Sequence, residues 1–183
     1  MEPIAVDGMI IVACTDGTIV ALRGGRPEDE VWRFRIDGTP GPMTHEGALF
    51  VSGSDNTIFA IDSQKGVKIR SRVLPSIVTG RIACVSGTVC AAVREGKVHF
   101  LNAATGATLW TYEAQSVIQG GVSAVGSLVL FGSDDQTVTA FDLSLRSLAW
   151  RLKVKGKVKL APVAGKGAAY LANDEGVTAV ELN

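Results

Sequence analysis

The chain has 183 residues, with eighteen basic and eighteen acidic side chains, so its formal net charge at neutral pH is zero. Such a chain has no net field that would attract nucleic acid or an anionic membrane surface, and we expect neither as a partner. The composition, 46% hydrophobic and 20% charged, is typical of a globular protein, and no apolar run approaches the length of a membrane span.

One short unit recurs along the whole chain, at about residues 1–39, 40–79, 80–119, 120–159 and 160–183. The glycine that closes its first strand lies at Gly8, Gly47, Gly87, Gly126 and Gly167. The third strand reads VALR, FAID, HFLN, TAFD and TAVE, and the fourth carries Trp32, Trp110 and Trp150. Four short strands with a period near 40 residues are typical of a propeller blade. We therefore predict an all-β fold, a β-propeller of four-stranded antiparallel blades, with four complete repeats and a three-stranded fifth.

The first repeat has the longest connection, the charged loop 23–30 between its third and fourth strands. Its fourth strand alternates, with Trp32, Phe34 and Ile36 on one face and arginines on the other. Such alternation is typical of an outer strand with one buried face. We expect the three tryptophans to lie, buried or half-buried, at equivalent places on their blades.

The second repeat breaks this pattern, because Arg70 replaces the tryptophan and Arg72 replaces the next inward residue. A register slip by one residue exchanges the two faces of a strand, which would turn Ile69, Ser71 and Val73 inward. We favour this slip. The alternative is that both arginines face inward and pair with a ligand or a partner.

The fifth repeat has three strands, and its third, at 177–182, forms one open end of the array. The strands at 4–12 form the other. Exposed sheet edges invite pairing, so proteins cover them. We expect an incomplete arc that self-associates or belongs to a larger propeller, and the alternative is a tight ring of five blades.

Carboxylates recur in the turns between the second and third strands, which leave each blade at the same edge. They are Asp16, Asp55, Glu95, Asp134, Asp135 and Asp174. These six residues, with Arg70 and Arg72, are our candidates for binding a partner, and we expect this edge to be acidic. The alternative is that aspartate is simply what tight hairpins require.

No residue pattern indicates catalysis, a cofactor or a metal. The two histidines, His45 and His99, are too few for a three-histidine zinc site, and we interpret Cys14, Cys84 and Cys90 as buried free thiols. The sequence shows no signal peptide, which together with the free thiols favours a cytoplasmic location.

A turn pattern A-x-D-x-x-x-G-x-x-x-W links the third and fourth strands. It is matched by Ala60, Asp62 and Gly66, by Asn102, Gly106 and Trp110, and by Ala140, Asp142 and Trp150. This pattern resembles the tryptophan-docked repeat of the quinoprotein-type propellers, the family of the pyrroloquinoline-quinone enzymes and of the propeller lipoprotein of the outer-membrane barrel assembly machinery. The WD-type repeat has a similar period, but its Gly-His opening and Trp-Asp ending are absent.

The resemblance implies rings of seven or eight blades, and in the enzymes a quinone, a calcium ion and often adjacent cysteines. This sequence has no adjacent cysteine pair. We therefore expect a non-enzymatic binding or scaffold module without a cofactor, which binds a protein or the remaining blades of a larger sensor or assembly protein. The alternative is a fragment of a quinone-dependent oxidoreductase.

Overall fold

The computed structural model describes residues 2–24, 26–165 and 167–182, and in these ranges the protein is all-β. Nineteen strands form five antiparallel sheets, and the only helical segment there is a single 3-10 turn, Pro27–Asp29. That turn lies in the predicted loop 23–30, of which Gly25 is outside the described residues. No helix in the described ranges is long and apolar enough to cross a membrane. The predicted fold class is confirmed.

The chain divides into two compact units, and the first, Met1–Ile77, contains blades 1 and 2. Blade 1 consists of β1 (Ile4–Val6), β2 (Met9–Ala13), β3 (Thr18–Arg23) and β4 (Glu30–Arg35). Blade 2 consists of β5 (Pro40–Glu46), β6 (Ala48–Gly53), β7 (Thr57–Ile61) and β8 (Lys68–Val73). In both sheets the strands are neighbours in sequence order, so each blade is a simple meander.

The second unit, Val78–Asn183, contains blades 3, 4 and 5. Blade 3 consists of β9 (Ala83–Val85), β10 (Thr88–Val93), β11 (Lys97–Asn102) and β12 (Thr108–Glu113). Blade 4 consists of β13 (Val122–Val125), β14 (Leu128–Gly132), β15 (Thr137–Asp142) and β16 (Ser147–Lys153). Blade 5 has three strands, β17 (Val163–Gly165), β18 (Ala168–Asn173) and β19 (Gly176–Glu181).

The first turn of a blade shows why the recurring glycine is needed. Asp7 and Gly8 both have positive φ, 48° and 78°, and so do Ser86 and Gly87, at 50° and 69°. Two central residues with positive φ make a type I′ turn, whose twist matches that of the strands it joins. Glycine adopts this conformation without steric cost, so its recurrence marks the hairpin of each blade.

Each blade has two faces, which we name by the residues of blades 1 and 2. The tryptophan face of blade 1 carries Ile11, Ala21 and Trp32, and the reverse face of blade 2 carries Leu49 and Ile61. All five residues are buried in one cluster, so the tryptophan face of blade 1 packs on the reverse face of blade 2. Burial of such apolar faces is the main stabilising term, because one meander cannot shield both of its own faces.

The same contact joins the blades of the second unit. Cys90, Phe100 and Trp110 on the tryptophan face of blade 3 pack against Phe131 and Phe141 on the reverse face of blade 4. The rings of Phe100 and Trp110 stack with centroids 4.7 Å apart, and those of Phe100 and Phe141 lie 4.9 Å apart. Aromatic pairs at such distances stabilise beyond their buried area.

Blade 4 in turn packs on blade 5 through smaller side chains. Leu130 clusters with Ala169, and Val138 clusters with Leu171. In each cluster the residue of blade 4 lies on its tryptophan face and that of blade 5 on its reverse face. The two units therefore contain three blade-to-blade contacts built by one rule.

The tryptophans lie at equivalent places, as predicted. Trp32 pairs with Ala21, Trp110 with Phe100 and Trp150 with Ala140. Trp32 is buried, and Trp110 and Trp150 are half-buried. In every one of these blades a β-bulge directly precedes the tryptophan. The bulge places one extra residue on the outer strand, which the sequence analysis did not foresee.

The register slip predicted for blade 2 is wrong. Arg70 pairs with Ala60, so it occupies the tryptophan position in the same register as the other blades. Ile69 is the extra residue of the bulge, and both Ile69 and Val73 are exposed. Because the bulge lies at the same place in all four complete blades, backbone pairing fixes the register whichever side chain follows it.

Candidate functional site

The turns between the second and third strands hold two of the predicted carboxylates in fixed positions. Asp16 Oδ1 accepts a hydrogen bond from the Thr18 amide at 3.0 Å. Asp55 accepts from the Thr57 amide at 3.1 Å and from the Thr57 hydroxyl at 2.9 Å. Both are Asx turns, in which an aspartate bonds to the backbone two residues ahead. The hydrogen bond from the Thr18 amide lowers the pKa of Asp16, so its exposed carboxylate stays charged in mildly acidic solution.

Asp135 forms the same turn in blade 4 and has additional partners. Its Oδ1 accepts from the Thr137 amide at 3.1 Å and from the Ser133 hydroxyl, and its Oδ2 pairs with Arg151 at 3.0 Å. Partial burial acts to raise the pKa of Asp135, but the hydrogen bonds from Ser133 and Thr137 outweigh it and the pKa is lowered. Asp135 is therefore a turn residue and an ion-pair partner at once.

Asp134 and Asp174 also have partners at this edge. Asp134 accepts from the Gln119 amide group at 2.8 Å, and Asp174 pairs with Lys159 at 2.8 Å. The hydrogen bond from Lys159 lowers the pKa of Asp174. Because Lys159 and Arg151 lie beside these turns, the edge is mixed in charge in blades 4 and 5, where the sequence predicted an acidic one.

The candidate residues do not form one cluster, because each turn belongs to its own blade. Asp16 and Asp55 lie in the first unit, whereas Glu95, which is exposed, and the three aspartates of blades 4 and 5 lie in the second. Arg70 and Arg72 lie within strand β8 instead of at a turn, Arg70 half-buried and Arg72 exposed. Each blade therefore has at least one carboxylate in the turn between its second and third strands, and these carboxylates are exposed or held by hydrogen bonds.

The opposite edge has a second set of fixed polar side chains, which the sequence analysis saw only as part of a family pattern. Asp62 Oδ1 accepts from the amides of Gln64 and Lys65, at 2.9 and 3.0 Å. Asn102 and Asp142 make the equivalent pairs of bonds. A single Asp or Asn directly after the third strand was the signal that could have identified these turns.

Both histidines make hydrogen bonds within their blades. His45 Nε2 lies 3.2 Å from the Ser63 hydroxyl, and His99 Nδ1 lies 3.2 Å from the Thr111 hydroxyl. Ser63 and His99 are themselves buried. Both histidines are therefore at least partly packed within their own blades.

None of the three cysteines is in a disulfide, as predicted, but they differ in exposure. Cys90 is buried, Cys84 is intermediate and Cys14 is exposed. Burial was therefore predicted correctly only for Cys90. Within residues 2–24, 26–165 and 167–182, no three His, Cys, Asp or Glu side chains are grouped closely enough to hold a metal ion.

The repeats of this chain are similar to those of known proteins. Residues 94–183 match the family described as outer membrane protein assembly factor BamB. BamB of Nitrosomonas eutropha is 33% identical over 82 residues, which cover 45% of this chain and 20% of that protein. The quinohemoprotein alcohol dehydrogenase ADH-IIG of Pseudomonas putida is 25% identical over 164 residues, which cover 74% of this chain and 23% of that protein.

A solved structure extends the likeness to the whole chain. The crystal structure of BamB from Moraxella catarrhalis matches with a TM-score of 0.83 at 17% identity, over 100% of this chain and 57% of that one. The chain thus spans well under two thirds of each relative. The predicted resemblance to quinoprotein-type propeller repeats is confirmed, and the fold is that of a BamB-like β-propeller.

Proposed function

We propose that this chain is a non-enzymatic propeller module that binds a protein partner through the edge carrying its second-to-third-strand turns. The partner segment is basic and contacts the carboxylates of blades 1 and 2, Asp16 and Asp55. The curated relative from Nitrosomonas is named as an assembly factor, which supports a scaffold role for this chain as well. In this chain, Asp16 and Asp55 would provide the binding surface for such a role.

The fixed geometry of the two carboxylates carries the proposal. Each is exposed, yet each is held by hydrogen bonds from the threonine two residues ahead. A carboxylate that is already fixed loses little entropy when a basic side chain binds it. Loops on a rigid sheet scaffold are also where binding residues commonly lie.

The test is to remove charge from these turns while keeping their hydrogen bonds. Asparagine retains an Oδ1 acceptor, so the double variant Asp16→Asn with Asp55→Asn keeps both Asx turns and removes two charges. We would measure binding of a fluorescent lysine- and arginine-rich peptide by anisotropy at several salt concentrations. Loss of two exposed contacts should weaken binding by about three- to tenfold, most clearly at low salt.

The matched control is Glu28→Gln with Asp29→Asn, which removes two charges from the connection at the opposite edge of blade 1. If the proposal holds, this control binds the peptide as the wild type does. Equal weakening in both double variants would mean that net charge alone attracts the peptide, and unchanged binding in both would remove these turns from the function. Either result would reject the proposed site.

The alternative function is that of a fragment of a quinone-dependent oxidoreductase, and the similarity to the Pseudomonas enzyme supports it. The residues described do not fit such a centre, because they include no group of three metal-binding side chains. Asp62 and Asp142, the acidic residues of the family pattern, are instead bonded to the backbone of their own turns.

A further inference from the structure

Two apolar faces among the described residues are exposed, unlike those that pack together within each unit. In three contacts, a tryptophan face packs on the reverse face of the following blade. At these contacts the central residues are fully buried, as Leu130 and Val138 of blade 4 are. Where the equivalent positions of another blade are exposed, no blade packs on that face.

Blade 5 has an exposed tryptophan face. Tyr170, at the place of Leu130, is 44% exposed, and Val177, at the place of Val138, is 75% exposed. Their neighbour Val163 pairs with Tyr170 across the sheet and is exposed as well. These three residues, with Ala179, form an apolar surface of the kind that seldom stays open to water.

Blade 1 has an exposed reverse face. Ile10 is 40% exposed, whereas its equivalent Leu49 in blade 2 is fully buried. Leu22, which pairs with Ile10, is half-buried, whereas its equivalent Ile61 is fully buried. The residues described in blades 1 and 5 therefore include one exposed face of each type.

We propose that a second copy of this chain covers these faces, with the reverse face of blade 1 in one copy packed on the tryptophan face of blade 5 in the other. Such a contact repeats the rule by which blade 4 packs on blade 5. The two faces also carry charges of opposite sign, because exposed Arg35 lies on the reverse face of blade 1, opposite Thr18, and exposed Glu181 lies on the tryptophan face of blade 5, opposite Ala168. Opposite charges on two facing surfaces favour a specific pairing.

This contact is heterologous, since it joins two different surfaces. Heterologous contacts form rings where the rotation closes and open assemblies where it does not. The proposal is independent of the partner-binding function, because it uses the faces of blades 1 and 5 and not the carboxylates of their turns.

The first experiment is a concentration series of the full chain in sedimentation velocity. The wild type should sediment above the 19.1 kDa monomer, with a mass that rises with concentration. Ile10→Glu and Val177→Lys each place a charge on one exposed face and should each weaken self-association at least tenfold. Both positions are exposed, so neither variant should lose its β circular dichroism.

The second experiment mixes the two variants, and it distinguishes this contact from any other. Ile10→Glu keeps an intact tryptophan face on blade 5, and Val177→Lys keeps an intact reverse face on blade 1. The mixture should therefore form a one-to-one dimer, although each variant alone is monomeric. A symmetric contact between like faces would not be restored by mixing.

Val67→Glu and Leu145→Lys are the controls, because both side chains are exposed in turns outside either face. They should associate as the wild type does. A wild type that stays monomeric would overturn the proposal, as would a mixture that fails to dimerise or controls that lose association equally. Peptide binding by Asp16 and Asp55 can be measured on the same variants, so failure of one proposal does not imply failure of the other.

Discussion

The contact of a tryptophan with the next blade offers the sharpest test of how this chain is stabilised. In the first unit, Trp32 Nε1 donates a hydrogen bond to the Ser63 carbonyl at 2.8 Å. Gly66 has a φ of +66° and lies against the Trp32 ring, where a Cβ would come within 2.6 Å of the ring atoms. A glycine at this position therefore lets the indole approach the backbone of the next blade.

Blade 4 has Arg146 at the position of Gly66. Arg146 has a φ of +52°, and its guanidinium lies 5.6 Å from the centroid of the Trp110 ring. The Trp110 Nε1 is buried and finds no hydrogen-bond acceptor among the described residues. Arg146 therefore has a strained backbone, and the indole donor of Trp110 beside it is unpaired.

We predict that Arg146→Gly stabilises the protein by about 2 kcal/mol. Relief of the left-handed strain contributes about 1–2 kcal/mol, and a hydrogen bond for the buried indole contributes about 1–3 kcal/mol. The greater freedom of glycine in the unfolded chain costs about 0.5–1 kcal/mol, and loss of the cation–π contact costs about as much. Without the new hydrogen bond these terms nearly cancel.

Urea unfolding followed by tryptophan fluorescence would measure the change, and a double-mutant cycle would show its cause. Trp110→Phe removes the indole donor, so it should cost about 1 kcal/mol more in the Arg146→Gly background than in the wild type. Arg146→Asn, which tolerates positive φ but keeps a Cβ, should leave stability almost unchanged. Equal costs of Trp110→Phe in both backgrounds would refute the reasoning.

Three further predictions concern close packing, acid stability and thiol access. Gly121→Ala should cost at least about 2 kcal/mol more in urea unfolding than Gly126→Ala, because both have positive φ but only at Gly121 would a Cβ overlap neighbouring backbone. The lowered pKa of Asp135 stabilises the fold above the unfolded value of about 3.9. That contribution is lost as pH falls through the folded pKa, so Asp135→Asn should lose less stability than the wild type in an acid titration. A maleimide reagent should label Cys14 in the native protein and Cys90 only after unfolding.

Strand positions were highly predictable, because the turns carry the information. The strands Met9–Ala13 and Val122–Val125 lie directly beside Gly8 and Gly126, two of the recurring glycines. A tight hairpin needs positive φ, so glycine indicates its position in the sequence. The apolar runs on either side of such a glycine then pair as antiparallel strands. Repetition then sets the architecture, since one meander buries its faces only against another.

Charge at the blade edge was predicted less well. The sequence shows that aspartates recur in one set of turns, but the pairing of Asp174 with Lys159 depends on the path of the connection before blade 5. The pairing of Asp135 with Arg151 depends on which face of β16 the arginine occupies. Side-chain pairs of this kind are set by three-dimensional neighbours, which spacing along the chain does not specify.

Blade 2 explains why the favoured register for β8 was wrong. The slip was favoured because it exchanges the two faces of the strand and needs no partner for the arginines, yet Arg70 is only half-buried at the tryptophan position. A long arginine stem covers apolar surface, so the side chain fits without moving the strand. The bulge and the pairing with Ala60 hold the backbone in place. The outer strand is therefore the part of a blade whose side chains change while its backbone pairing is kept, and there blade 2 has Arg70 and Arg72 at the positions of Trp32 and Phe34 in blade 1.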